Sequence, residues 1–228
     1  MIDAAAWEAV ALSLRVSLVA TLLALPLALG VAVLLARHEF PGKTLLNGLV
    51  HLPLVLPPVV TGYLLLVVFG TQGPVGGWLR DTFGLTLAFR WTGAALAAGV
   101  MAFPLMVRAI RLSVEAVDPG LAEAAETLGA SRGRVFRTVT LPLIWPGLLA
   151  GAVLGFAKAL GEFGATITFV AAIPGQTRTI PSAIYALLQV PGQEGAVLGL
   201  VAISIVLAFG ALILLEWLAL RARARLRA

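Results

Sequence analysis

The chain has no cysteine, which excludes disulfides and thiolate metal sites. Histidine is nearly absent too: His38 and His51 stand apart, offer no metal cluster, and read as ordinary loop and interface residues. Charge is the third scarcity. Only 12% of the 228 residues are charged and 60% are hydrophobic, with a mean hydropathy of +1.02. A soluble domain of this length exposes far more charge, so each long apolar run must meet lipid or another apolar helix. The net charge of +5 would by itself admit nucleic acid as a partner. The arginine positions argue against it, because they bracket the apolar runs in the manner of the positive-inside rule.

Five runs are long enough to cross a membrane: roughly 12–35, 48–70, 92–110, 143–161 and 196–219. Each is near the ~20 residues that a ~30 Å hydrocarbon core requires. The predicted fold class is therefore an all-α integral membrane protein, a single domain over residues 1–228. The chain starts Met1-Ile2-Asp3 without a basic leader, and the first run is too long for a signal-peptide core. It reads as a retained span that Pro26 and Gly30 bend. The segment 162–195 is less regular. Gly164 to Ile173 is short and apolar, and Thr179-Ile180-Pro181-Ser182 opens a short helical run. These lengths suit a re-entrant or interfacial piece, which survives at membrane depth only beside protein or a water-filled pathway.

The one long polar segment between spans is 111–142. Asp118-Pro119 reads as N-cap and first helical position. Leu121, Ala124, Ala125 and Leu128 recur at i, i+3, i+4 and i+7 and make one apolar stripe. Glu123 and Glu126 flank it, and Gly129 follows as a helix-stopping residue. Ser131 can cap a second helix carrying Arg132, Arg134 and Arg137, after which Leu141-Pro142 leads into the fourth span. The plain reading is a hairpin joining two spans. The functional reading is a smooth docking face that two alanines let a partner approach closely.

Glu123-Ala124-Ala125, three residues, Gly129, nine residues, then Val139-Thr140-Leu141-Pro142 resembles the EAA loop of ABC importer permeases, with Val for Ile as the single departure. Further stretches resemble the molybdate branch of that family. They are His51 to Val60 with Pro57-Pro58, Phe103 to Arg111, Leu160 to Phe169 with Gly161-Glu162-Phe163-Gly164, and Ile173 to Ser182. The resemblance covers nearly the whole chain. It implies the transmembrane-domain fold of a type I ABC importer, in a bacterial inner (cytoplasmic) membrane. It also implies a coupling helix built on Leu121, Glu123, Ala124, Ala125, Leu128 and Gly129, with Leu141 and Pro142 behind it. The implied partners are a second copy of the chain, two ABC ATPase subunits, a periplasmic or surface-anchored oxyanion-binding protein, and membrane lipid. This chain would bind no cofactor, ATP and Mg²⁺ being used by the ATPase. Sulfate and thiosulfate permeases share the loop and the Gly-Glu-Phe-Gly piece, and tungstate is not separable from molybdate by these residues.

Other features admit two readings. Gly42-Lys43-Thr44 is reminiscent of the end of a phosphate-binding loop, but that loop needs a glycine where Arg37 stands; a basic cytoplasmic turn is the better reading. Lys158 and Glu162, four apart near the end of the fourth span, either pair on one helix face or serve a pathway. Pro57, Pro58, Thr61 and Gly62 break a span, as a packing kink or as a wall beside the pathway. Thr61, Thr166 and Thr168 would offer weak polar contacts there. No run of Arg or Lys lies in the membrane core, which suits conduction, since tight binding slows release. An ion-gradient-driven secondary transporter would want intramembrane carboxylates and internal repeats; only Glu162 with Lys158 qualifies, and no repeat is visible. A scaffold subunit would need no ATPase dock.

Orientation follows from basic residues. One alternating set of segments holds eleven of them, including Arg37, Lys43, Arg108, Arg111, Arg132 and Arg223, and the other holds five: Arg15, Arg80, Arg90, Lys158 and Arg178. The richer side is expected in the cytoplasm, with the N-terminus outside and the C-terminus inside, an arrangement that requires an odd number of spans and that five satisfies. Single cysteines at positions 132, 223 and 76 test this, since the chain has none of its own. An impermeant thiol reagent should reach position 76 in intact cells and miss the other two. Labelling of position 132 from outside would overturn the orientation.

Overall fold

The computed structural model describes residues 4–227; Met1, Ile2, Asp3 and Ala228 lie outside it, as do the side chains of Leu215, Ala219 and residues 222–227. Arg223, Arg225 and Arg227 of the orientation count are among the latter. The described residues form helices and loops. Four helical stretches are long and apolar enough to cross a membrane: Ala4–Arg37 (α1), Trp91–Glu115 (α5), Arg132–Leu160, and Glu194–Leu218 of α11, which runs Glu194–Arg227.

The expected span at 48–70 is not one rod. It is two helices, α2 (Lys43–Val55) and α3 (Pro58–Phe69), bent by 115° at the break. Proline explains the bend. Neither Pro57 nor Pro58 can donate a backbone hydrogen bond, and a residue that precedes proline is pushed into extended geometry. Leu56 and Pro57 show it, with ψ of 142° and 134°. Counted as one broken span, the pair brings the crossings to five. After α3 comes the short amphipathic helix α4 (Pro74–Phe83), which leads toward α5.

The fourth crossing also differs from the expectation that it begins after Pro142. A one-turn helix α7 (Arg132–Val135) passes through a π turn (Phe136–Thr140) into α8 (Leu141–Leu160). Pro142 lacks the N–H that an unbroken α-helix would use, and the wide turn absorbs the fault. The Leu141 N–H accordingly donates five residues back, to the Phe136 carbonyl.

α1, α5 and α8 pack on one another and hold the core. The contact surfaces are made of small residues. Gly147, Gly151 and Gly155 recur every fourth residue on α8 and meet Ser113, Ile110 and Met106 of α5. A Cβ added at Gly151 would come to 3.0 Å from Ile110 Cγ1. α1 contributes Ser13, Ser17, Ala20, Ala24, Ala28 and Ala32, all buried, and Ala20 lies against Gly99 of α5. In lipid the apolar effect does not drive helices together, so such close backbone approach supplies the packing energy. Large apolar residues point outward instead, as Leu22, Leu23 and Leu27 do on α1 and Val206, Phe209 and Ile213 on α11.

Three short helices complete the chain: α6 (Pro119–Thr127) between α5 and α7, then α9 (Gly164–Val170) and α10 (Ile180–Leu187) between α8 and α11. α9 lies on α3 and α5, and α10 on α1 and α11. A second, smaller core of Ala6, Ala9, Val10, Ile180, Ala183 and Leu200 ties α1, α10 and α11 together. Gly42 (φ +89°) opens α2, and the neighbouring Lys43 pairs with Glu39 at 2.6 Å.

Candidate functional site

The polar segment folds from its own capping signals. The Asp118 carboxylate accepts from the Gly120 N–H at 2.9 Å, and Pro119 takes the first turn of α6, where no donor is needed. Gly129 follows α6 at φ +86°, a left-handed conformation that glycine adopts without a Cβ penalty. Its N–H donates to Glu126 O, and the Ala130 N–H to Ala125 O. Ser131 occupies the N-cap position of α7 but its hydroxyl makes no capping bond.

α6 buries none of its residues. Leu121 is 48% exposed and Leu128 89%. Two leucines at such exposure, with Ala124 exposed and Ala125 half-buried between them, form an apolar face outside the spans that the other described residues leave largely bare. Leu141 is half-buried against the core and Pro142 is exposed. α6 is therefore carried on α7 and the π turn, which continue directly into the α8 crossing.

A connection that the sequence reading missed fixes the other end of this segment. Arg37, at the last turn of α1, donates from Nη2 to the carbonyls of Val114 and Val117, both at 3.0 Å. A guanidinium on the last carbonyls of a helix is a charge-assisted cap. It ties α1 to the end of α5 immediately before Asp118. The sequence offered Arg37 only as a cytoplasmic positive charge, because its partners lie 77 and 80 residues away.

The second group of predicted residues meets where α3 and α9 cross. Gly62 faces Ala165 and Thr168 so closely that an added Cβ would stand 2.5 Å from the Ala165 carbonyl oxygen. Reciprocally, a Cβ on Gly164 would stand 2.7 Å from Pro58 Cβ. One glycine on each helix thus allows the contact. Pro57 and Pro58 are exposed at the break, whereas Thr61 and Thr166 are buried. Thr166 and Thr168 donate their hydroxyls to carbonyls of their own segment, Phe163 and Gly164, each at 2.8 Å. Thr61 Oγ1 is buried with no partner among the described residues.

Glu162 is 2% exposed and doubly held: Lys158 Nζ donates to one carboxylate oxygen at 3.0 Å and the Ala165 N–H to the other at 3.0 Å. It therefore joins the end of α8 to the start of α9. Thr177 does the corresponding task at the far end of α9. Its hydroxyl bridges Val170 and Ala171 carbonyls and accepts from the Ile173 N–H, around Ala171 at φ +59°. Ser13 of α1 accepts from the Ile180 N–H at 2.7 Å and fixes the start of α10. Neither Thr177 nor Ser13 carries a sequence signal beyond being a hydroxyl in an apolar setting.

A family model described as the binding-protein-dependent transport system inner membrane component matches residues 24–224. The chain is similar to the molybdenum transport system permease protein ModB of Escherichia coli (strain K12), with 60% identity over 219 residues and 96% of each chain covered. Its similarity to ModB of Haemophilus influenzae is 56% over 219 residues, again covering 96% of each. Among solved structures it resembles a bacterial ABC transporter involved in alginate import, with a TM-score of 0.71, 18% identity, and 97% of this chain and 80% of that one covered. That likeness bears on the fold, which is the transmembrane-domain fold of type I ABC importers.

Replacing Glu162 separates its two bonds. Glu162→Gln keeps an acceptor for the Ala165 N–H and loses the ion pair. Glu162→Ala loses both and leaves a buried donor unmet, at a cost of roughly 1–3 kcal/mol. Thermal unfolding of the detergent-purified chain should therefore fall in the order native, Gln, Ala. Equal midpoints for all three would show that α9 is not held through Glu162.

Proposed function

The chain belongs to the family of binding-protein-dependent transport system inner membrane components, and from that premise we propose that it is the permease subunit of an ATP-driven molybdate importer. It is a multi-pass inner-membrane protein. The observation that carries the coupling half of this reading is the bare apolar face of α6, set in the Glu123-Ala124-Ala125…Gly129 segment. The molybdate half is supported by relatives at 56–60% identity over 96% of their length.

In this reading the chain does no chemistry of its own, and ATP with Mg²⁺ is used by two partner ATPases. Each ATPase receives one α6 in a groove, with Leu121, Ala124, Ala125 and Leu128 inward and Glu123 toward its basic groups. Two copies of the chain form the path between them, and a separate binding protein delivers the oxyanion to the outer face, where the N-terminus lies. Motion of α6 passes to α8 through α7 and the π turn, and to α1 and α5 through Arg37. The pieces best suited to re-angle in response are those joined by breaks: α3 after Pro57-Pro58, and α9 between Gly161 and Ala171. Pro57, Pro58, Thr61, Gly62, Glu162, Thr166 and Thr168 then belong to a wall that opens and closes by sliding α3 on α9. A tetrahedral dianion of sulfate or tungstate would fit the same machine, and the choice among them is made by the binding protein that presents it.

Substitutions on α6 test the coupling role. Ala124→Trp puts bulk where close contact is needed, at a cost of roughly 1–3 kcal/mol. Gly129→Val opposes the left-handed conformation by about 1–3 kcal/mol. Both should leave the chain in the membrane yet weaken ATPase binding or uncouple hydrolysis from transport. Thr127→Trp, on the side away from the stripe, should do less. Normal transport by all three with the ATPase still attached would refute the docking assignment.

A further inference from the structure

Two cavities away from α6 and α9 join at Leu87 and Thr92. The first, about 580 Å³, is a groove between α1, α2 and α5, and among the described residues that line it all but Thr92 are apolar. Thr92 and Phe103 mark its extent along α5. Eleven residues at 1.5 Å each give about 16 Å, close to half of a hydrocarbon core of ~30 Å. That length matches the depth of one leaflet.

The second cavity, about 600 Å³, sits at the head of that groove, beside the N-terminal end of α5, and is bordered by Arg15, Arg90 and Trp91. Arg15 is stacked on Trp91, its Cζ 3.8 Å from the ring centroid. Neither arginine takes part in an ion pair among the described residues. Arg15 also borders a smaller adjoining cavity of about 360 Å³ with Arg178 and Glu8; among the described residues Glu8 forms no ion pair with either, and Arg178 Nε is buried with no partner. At the junction of head and groove, Thr92 Oγ1 is likewise buried and unpartnered.

We propose that this composite cleft binds one anionic phospholipid of the leaflet facing the N-terminal end of α5. The phosphodiester lies between Arg15 and Arg90, and one acyl chain lies along α1 and α5. Three features point to a lipid rather than a free anion or a helix: a cationic end, an apolar channel continuous with it, and a channel length equal to one leaflet. Guanidinium groups match phosphate oxygens in fork geometry, and a tryptophan–arginine pair is at home at the membrane–water interface. This site rests on the membrane-embedded fold and is independent of the transported substrate.

The test uses the full transporter complex, delipidated in detergent, titrated with phosphatidylglycerol and read by native mass spectrometry. One lipid per copy of this chain should be retained. Arg15→Gln with Arg90→Gln should lower its affinity about tenfold or more, and Val100→Trp, which fills the groove and leaves both arginines, should do the same. Arg90→Gln alone, at an exposed position, carries the same reading if the double variant is not isolated. Inorganic phosphate and molybdate should fail to displace the lipid. Unchanged binding in both the charge and the groove variants would overturn the proposal. Displacement by inorganic phosphate would make this a free-anion site, and disulfide-linked copies formed through Leu23→Cys in native membranes would make the groove a seam between two chains; either result refutes it.

Discussion

Close approach between helices at glycine and alanine is the constraint on which the rest of this structure depends. Lipid tails are as apolar as leucine, so burying leucine gains little in a bilayer, and association must come from van der Waals contact between backbones. Gly147, Gly151 and Gly155 let α8 lie against Met106, Ile110 and Ser113 of α5, and the alanines of α1 do the same from the other side. A three-helix core made this way is stiff, because small side chains leave no soft layer to deform. The large side chains that a soluble protein would bury are free to face lipid or a neighbouring copy.

Against that core, the pieces we propose to move are joined to their neighbours by breaks and polar ties. α2 and α3 meet at a proline break, α9 is seven residues held by Glu162 and Thr177, and α6 touches little but α7 and the π turn. The one place where α3 and α9 are locked, Gly62 against Ala165 and Gly164 against Pro58, is a glycine contact again. Such a contact would let α3 and α9 slide on each other in the wall we propose. The polar ties sit at the joints: Arg37 between α1 and α5, Glu162 between α8 and α9, Ser13 between α1 and α10.

Much of this was legible in the residues. Apolar run lengths located α1, α5, α8 and α11, and Asp118-Pro119 with Gly129 bounded α6 because capping chemistry is local. The 115° turn at Leu56 to Pro58 was legible only as a break, since proline forbids a straight helix without dictating the angle. The π turn before Pro142 was missed for a similar reason: a helix can end at such a proline or widen around it, and packing of the neighbours decides. Arg37, Ser13 and Thr177 were missed because their partners lie far away in sequence or on backbone carbonyls, which carry no side-chain signature. The glycine repeat on α8 was in plain view, but spacing alone does not say which helix it faces.

Energy coupling and cargo are the two properties that define a molybdate importer's permease. The direct measurement is uptake of radiolabelled molybdate into vesicles holding this chain, its ATPase and an oxyanion-binding protein, with sulfate as competitor. Accumulation should require ATP and all three proteins, should survive an excess of sulfate largely intact, and should not be driven by an ion gradient in place of ATP. Uptake driven by an ion gradient without ATP, or no ATP-dependent molybdate uptake by the complete set, would contradict the permease assignment.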